Sequence, residues 1–294
     1  MSTTIIPEEP QYAQRPGLVS TFGRRLLANP VALVAAIYLV CLCLVAIFAP
    51  LIAPDDPLAQ SVLHVNLPPS RTHLLGTDQF GRDVLSRVIY GSRASLELGL
   101  MSPLIAAVCG SLIGVIGGYF GGIVDRLVGR FIDLLLSFPI LLLGIIVAAA
   151  LGPGFWNLVL ALVLAFAPRF ARIARASTLS VRNEPFVEAA VACGVRHPTI
   201  IIRHILPNIA GSIAVLITLW ISSAIQLEAT LSFLGLGTPP PRPSWGNIIR
   251  DGLNNLFGSA WPIVSAGLAI TLTVLAFNLL GDVVRDVLDP ELRE

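Results

Sequence analysis

The sequence predicts an all-α polytopic membrane protein with six transmembrane helices. Of its 294 residues, 55% are hydrophobic and only 13% are charged, about half the charged fraction of an ordinary soluble domain. Apolar runs recur along the chain, and five of the six have the length of about 20 residues that crosses a hydrocarbon layer of about 30 Å. The basic residues, all of them arginine, concentrate in alternate connecting segments, as they do where those segments face the cytoplasm.

The predicted crossings differ in length and in what separates them. Their limits are 30–53, 96–119, 131–151, 155–170, 209–231 and 261–281. The fourth run is short, so its helix is expected to continue beyond the membrane. Pro139 is expected to kink the third crossing. In the second crossing, Gly110, Gly114 and Gly118 are spaced four apart on one helix face, which predicts close packing of another helix.

The arginine distribution predicts that both termini are cytoplasmic. Thirteen of the 19 basic residues then lie in inner segments and six in outer segments. The predicted organisation is a cytoplasmic arm over 1–29, the first crossing over 30–53 and an outer loop over 54–95. A five-helix core over 96–281 and a cytoplasmic tail over 282–294 follow. Within the outer loop, 76–93 is expected to form a helix on the outer membrane surface.

The composition excludes several function classes. Without lysine, the chain cannot form a GxxxxGK[ST] phosphate-binding loop or a lysine Schiff base. It also has no HExxH or GxSxG motif. The net charge of +1 gives no basic excess for nucleic acid. We therefore expect a non-enzyme that binds no cofactor or metal. Two rivals are an ion-driven secondary transporter, which needs paired ionisable groups near the bilayer midplane, and a channel, which needs a filter.

The longest inner loop, 169–207, contains a short helix with helix-terminal signals at both ends. Pro185 suits the first turn, and Gly194 suits a left-handed C-terminal stop, so the spacing predicts a helix over 184–193. One apolar face is then formed by Phe186, Ala189, Ala190 and Cys193. The spacing is compatible with docking of this face either onto the membrane or into a partner.

This loop resembles the signature of permease subunits in ABC importers. Glu188-Ala189-Ala190, three further residues, Gly194 and then Leu206-Pro207 follow the pattern EAA–x3–G–x9–I–x–LP, except that His204 stands at the isoleucine position. Segments 76–87, 91–96, 231–237 and 243–246 resemble the dipeptide, oligopeptide and nickel permeases of that group, in particular the second permease subunit of the pair.

The resemblance implies a machine and a set of partners. It implies a type I importer fold, a bacterial inner-membrane location and a coupling helix that docks into a groove of an ATPase subunit. The partners would be a second, homologous permease subunit in a heterodimer, two ATPase subunits or domains that bind ATP and magnesium, an extracytoplasmic substrate-binding protein and the lipid membrane. The implied cargo is a di- or oligopeptide, with nickel chelates or glutathione-like molecules as alternatives.

Four further residues are candidates for function on the outer side. Gln226 and Glu228, near the outer end of the fifth crossing, are candidates for a gate or the substrate path, although a structural role for Glu228 is also compatible with the sequence. Arg82 and Asp83 are candidates for contact with the binding protein.

Overall fold

The structure, a computed structural model, describes residues 18–288, and these residues are almost entirely helical. Sides are named below by the predicted orientation. The α-helices are α1 (Leu18–Ala28), α2 (Pro30–Ile47), α3 (Ala49–Ile52), α4 (Val84–Phe120), α5 (Gly122–Leu136), α6 (Ile140–Leu151), α7 (Phe155–Arg182), α8 (Pro185–Ala192), α9 (His197–Ile200), α10 (Leu206–Phe233), α11 (Trp245–Leu253) and α12 (Trp261–Leu288). A 3₁₀ turn covers Val62–His64, and a π-helical turn covers Ile201–Ile205.

Five helices in this range are long and apolar enough to span a membrane. They are Pro30–Ile47, Val84–Phe120, Phe155–Arg182, His197–Phe233 and Trp261–Val287. A sixth candidate is the pair α5 and α6, whose axes meet at 91°. This confirms an all-helical membrane fold.

The third predicted crossing is not one kinked helix. A helix already begins at Gly122, in a segment expected to be a loop, and it ends at Leu136, after which α6 starts at Ile140. The break follows from Pro139, which has no N–H to donate and disfavours helical geometry in the residue before it. Pro139 is in an extended conformation, with φ −55° and ψ 134°. The result is a sharp turn in place of the expected kink.

The predicted surface helix over 76–93 is also wrong. Residues 76–83 form an irregular turn, and α4 starts at Val84 and runs for 37 residues. Asp83 is its N-cap, because its Oδ2 accepts a hydrogen bond of 2.7 Å from the Ser86 N–H. Residues 84–95 are therefore the outer end of a spanning helix.

The glycine stripe of α4 packs directly against α7, which confirms the predicted packing role. A Cβ placed on Gly110 would lie 2.3 Å from the carbonyl oxygen of Ala167, and one on Gly114 would lie 2.3 Å from that of Ala171. Gly118 lies similarly close to the backbone of Arg175. The two helix backbones approach as closely as small residues allow.

We expect Gly114→Ala to loosen this helix pair. The added methyl would overlap the α7 backbone, and forcing extra atoms into a packed interface costs about 1–3 kcal/mol. The thermal stability of the purified protein in detergent should fall. The matched control is Gly211→Ala in α10, where a Cβ would meet nothing within 4 Å. If the two variants melt at the same temperature, the close approach does not stabilise the fold.

Candidate functional site

The cytoplasmic loop folds as the local sequence predicts. Helix α8 covers Pro185–Ala192, with Pro185 in its first turn and Glu184 as N-cap. The chain turns away from the helix at Gly194, whose φ of +74° lies in the left-handed region that glycine tolerates best. The Gly194 N–H donates to the Val191 carbonyl at 2.9 Å, and the Val195 N–H donates to the Ala190 carbonyl at 3.1 Å. These bonds satisfy the last carbonyls of the helix and reverse the chain.

A residue that the sequence reasoning missed holds α8 in place. Val187 is 1% exposed. It lies in an apolar cluster formed with α4, α7 and the segment leading into α10, and partly buried Ala190 packs against the same cluster. The buried members are Val115, Tyr119, Ala174, Val187, Ile200, Ile205 and Ile209. The spacing of apolar residues predicted an apolar face on α8. It did not predict how the helix is rotated about its axis, and therefore did not identify Val187 as the buried residue.

The outward side of α8 carries most of the predicted face. Phe186 is 43% exposed, and Ala189 and Cys193 are also exposed, whereas Ala190 is half-buried. Glu188 is exposed, and its side chain makes no hydrogen bond or ion pair with any residue between 18 and 288. The predicted apolar face is therefore divided: Ala190 packs against the Val187 cluster, whereas Phe186, Ala189 and Cys193 remain exposed.

Glu188 borders a cavity beside α8. The cavity has a volume of about 520 Å³. Its other lining residues include Tyr119, Arg182, Val191 and His197. The Tyr119 Oη lies 2.7 Å from the His197 Nδ1 and closes one side of the space. The exposed side of α8 and the adjoining cavity together form a surface that a partner protein could contact.

The segment between α8 and α10 is continuous with a spanning helix. The Leu206 N–H donates to the Ile201 carbonyl, five residues back, which makes one π-helical turn. Pro207 has no N–H and cannot donate the ordinary α-helical bond at that point. His204, at the position where the signature has isoleucine, is half-buried, and its neighbour Ile205 is fully buried in the Val187 cluster. Ile205 therefore supplies the apolar anchor.

On the cytoplasmic half of α7, a face of arginines ties neighbouring helices to it. Arg175 donates to both Asp125 carboxylate oxygens of α5, at 2.5 and 2.8 Å. Arg172 donates to Asp133 at 2.7 Å. The Arg169 guanidinium lies 5.2 Å from the Trp220 ring of α10. These contacts connect α5 and α10 to the helix that leads into α8.

Arg82 and Asp83 both make side-chain contacts within the chain. Asp83 is buried, because one of its oxygens caps α4 and the other lies 3.1 Å from the His73 Nδ1. Arg82 donates to Asp78 at 2.7 Å and to Asp251 at 3.1 Å. Both side chains are used in internal contacts, and Arg82 remains partly exposed, so contact of this turn with a binding protein stays a prediction.

An ionic cluster joins the outer turn before α4 to α11. Buried Arg87 donates to Asp78 at 2.5 Å and to Asp251 at 2.9 Å. With Arg82, the cluster contains two arginines and two aspartates from three segments. Sequence spacing did not show it, because Asp251 is 164 positions from Arg87.

Glu228 and Gln226 lie in different environments. Glu228 is 0% exposed, whereas Gln226 is exposed. Two residues along a helix point in nearly opposite directions. Glu228 accepts hydrogen bonds from Ser232 at 2.7 Å and from Ser95 at 3.1 Å. Helix α11 covers Glu228, because the Trp245 N–H at the start of α11 donates to the same Ser95.

One group in the outer loop could hold a cation. Ligand atoms of Asp55, His73 and Asp83 lie within 4.8 Å of one another. Both Asp83 oxygens already have partners, the Ser86 N–H and the His73 ring. Capping of α4 and the contact with His73 account for the position of the Asp83 carboxylate.

Two family models match the chain. The model described as "Binding-protein-dependent transport system inner membrane component" matches residues 110–294. A second, described as "N-terminal TM domain of oligopeptide transport permease C", matches residues 18–69.

Relatives and solved structures agree with these matches. The chain is 38% identical over 287 residues to the dipeptide transport system permease protein DppC of Alkalihalophilus pseudofirmus, covering 98% of this chain and 94% of the relative. It is 42% identical over 275 residues to the glutathione transport system permease protein GsiD of Escherichia coli, covering 92% and 90%. An inward-facing structure of the MetNI methionine ABC transporter superposes with a TM-score of 0.57 at 18% identity, covering 68% of this chain and 96% of that one, a similarity of fold.

Proposed function

Because the chain belongs to the family of binding-protein-dependent transport system inner membrane components, and is thus a multi-pass permease subunit of the bacterial inner membrane, we propose that it forms half of the pore of an ATP-driven importer of short peptides. The observation that carries the mechanism is the arrangement of α8. This helix is seated on its own chain by Val187 and presents Phe186 and Glu188 outward.

The outward surface of α8 is proposed to dock into a groove of an ATPase subunit. The contact would use Phe186, Glu188 and Ala189, which are exposed. A short helix with one aromatic and small neighbours is suited to insertion into a groove. ATP and magnesium would be held by that ATPase subunit, and this chain would supply no catalytic group.

Movement of α8 would reach the pore through the chain itself. Only 13 residues separate α8 from α10, and they include the turn at Gly194 and the π turn before Leu206-Pro207. Since α8 and the start of α10 share one apolar cluster, they would shift together. Closure of the ATPase pair would then favour one of two pore conformations by differential affinity.

The complete importer is proposed to contain a second permease subunit, two ATPase subunits and an extracytoplasmic binding protein. Large apolar side chains on α4, such as Leu104 at 48% and Val108 at 62% exposed, supply surface for lipid or for the second permease. The relatives named for dipeptide and glutathione transport support a cargo with a peptide backbone. A glutathione-like molecule is the second candidate, favoured by the second relative, and a nickel chelate is the third.

Uptake by the assembled importer in proteoliposomes tests this function. We expect ATP-dependent accumulation of labelled dipeptides or longer peptides that stops when the binding protein is omitted. Glutathione or nickel supplied in parallel would identify the alternative cargo. Uptake that continues without ATP would contradict the importer mechanism.

In the same assay, we expect Glu188→Ala to uncouple ATP hydrolysis from transport. Loss of an exposed interface carboxylate removes a charged contact worth about 1.5–3 kcal/mol, so uptake per ATP should fall about tenfold while membrane insertion persists. Glu184→Ala, which removes an exposed carboxylate one turn earlier that forms no side-chain cap, is the control. Normal coupling in Glu188→Ala would remove this residue from the proposed contact.

A further inference from the structure

The outer end of α4 carries exposed charges that form no salt bridge in the part of the chain that the structure describes. From Glu97 to the end of α4 at Phe120 the helix has 24 residues, which span about 35 Å at 1.5 Å per residue. This length already covers a hydrocarbon layer of about 30 Å. Glu97 and Arg93, one turn further out, therefore lie at the outer boundary of the membrane.

The side chains of Arg93, Glu97 and Arg242 are exposed. Neither an ion pair nor a hydrogen bond joins any of the three side chains to another residue in the range 18–288. The contrast with Arg82 and Arg87 is direct, because those arginines are saturated by Asp78 and Asp251. The free charges are not required by the ionic cluster that holds the outer segments together.

The three charges line one hollow. A cavity of about 270 Å³ is bounded by Tyr90, Arg93, Ala94, Glu97, Arg242 and Pro243. A second cavity, of about 550 Å³, has Tyr90, Arg242 and Pro243 in its wall as well and adds the carboxylates of Asp55 and Asp56. The two hollows therefore share a wall, and together they have the size of a small-ligand site.

The hollow offers separated charges of both signs. Arg93 and Glu97 are four residues apart on one helix face, where Cβ atoms lie about 6 Å from each other. An extended dipeptide spans about 7 Å, so the Arg93 and Glu97 side chains, which leave the helix at this Cβ separation, can each reach one of its ends. Guanidinium groups bind carboxylates in a bidentate manner, and a carboxylate accepts hydrogen bonds from an ammonium group.

We propose that Arg93, Glu97 and Arg242 form a site at the outer mouth of the pore that receives the free termini of a short zwitterionic peptide. The arginines bind the C-terminal carboxylate, and Glu97 binds the N-terminal ammonium. This inference rests on the proposed function, because it assigns a recognition step to peptide import. A charge facing lipid at this position would be costly, whereas a charge facing the aqueous path is solvated between cargo molecules.

The test compares peptides with free and blocked termini in the complete importer. Dialanine and its C-terminal amide are each supplied at concentrations that saturate the binding protein, with loading checked by direct binding. We expect Arg93→Gln and Arg242→Gln to lower uptake of dialanine about tenfold, to the level of the amide, because a hydrogen bond to a charged group is lost. Uptake of the amide should stay unchanged. Glu97→Gln should act in the same way toward dialanine and its N-acetyl form.

The control variant is Arg71→Gln, which removes an exposed arginine of the outer loop that lines neither cavity. ATP hydrolysis stimulated by the loaded binding protein should remain normal in all four variants. An equal loss of uptake for free and blocked peptides, together with lost stimulation, would overturn the proposal and make these residues contacts of the binding protein or second permease. Wild-type uptake of free and blocked peptides at one rate, or unchanged uptake in the variants, would also overturn it. A wild-type importer that moves no peptide would instead refute the proposed function.

Discussion

Replacing Val187 by aspartate is expected to abolish transport by releasing α8 from its seat. Val187 is 1% exposed and lies among Val115, Ala174 and Ile205. A carboxylate at this position would have to be buried among these aliphatic side chains, and an uncompensated buried charge costs about 3–5 kcal/mol. The helix would lose the position from which it is proposed to contact the ATPase, so both uptake and assembly with ATPase subunits should fail.

Limited digestion with trypsin measures the release directly. The chain contains no lysine, so trypsin cleaves only after arginine, and exposed Arg182 and Arg196 flank α8. In inside-out vesicles, Val187→Asp should be cut at these two sites faster than the wild type. Val191→Asp is the matched control, because Val191 lies one turn later on the same helix and is 50% exposed. Equal digestion of the two variants would show that Val187 does not hold α8.

Local signals in the sequence were sufficient to identify most of the spanning helices and to place the ends of α8. Pro185 and Gly194 act through their own backbone geometry, so their effects can be read without knowing the fold. Hydrophobic run length likewise identified the spanning helices, because it depends only on the thickness of the bilayer. The spacing of Gly110, Gly114 and Gly118 predicted close packing but not the partner, which is α7.

Features that depend on distant residues were not predicted. The rotation of α8 is set by Ile200, Ile205 and Ile209, which form the other side of its seat. The burial of Glu228 depends on α11, whose first residue, Trp245, contacts Ser95. The internal role of Arg82 depends on Asp251, 169 positions away. In each case the sequence shows a residue type, while its environment comes from a segment far along the chain.

Gly194→Val is expected to impair coupling strongly, whereas Gly194→Asn should be tolerated. Gly194 has a φ of +74°, and a Cβ there would meet nothing within 4 Å. The cost of substitution therefore comes from the backbone alone. A left-handed conformation costs an ordinary residue about 1–2 kcal/mol, and a β-branched residue is a clear outlier there, while asparagine adopts it more readily. Valine would favour another conformation of the turn.

The altered turn would change the angle at which α8 leaves the segment that leads into α10. The hydrogen bonds from the Gly194 and Val195 N–H groups to α8 would be lost, so movement of α8 would no longer be passed on rigidly. We expect uptake per ATP hydrolysed to fall about tenfold or more in Gly194→Val and to stay near the wild-type value in Gly194→Asn. Because both variants add a side chain to the same open space, a loss in both would point to a steric contact with the ATPase. A loss in Gly194→Val together with normal coupling in Gly194→Asn would assign the effect to the left-handed turn. It would thereby support the mechanical link between α8 and the pore.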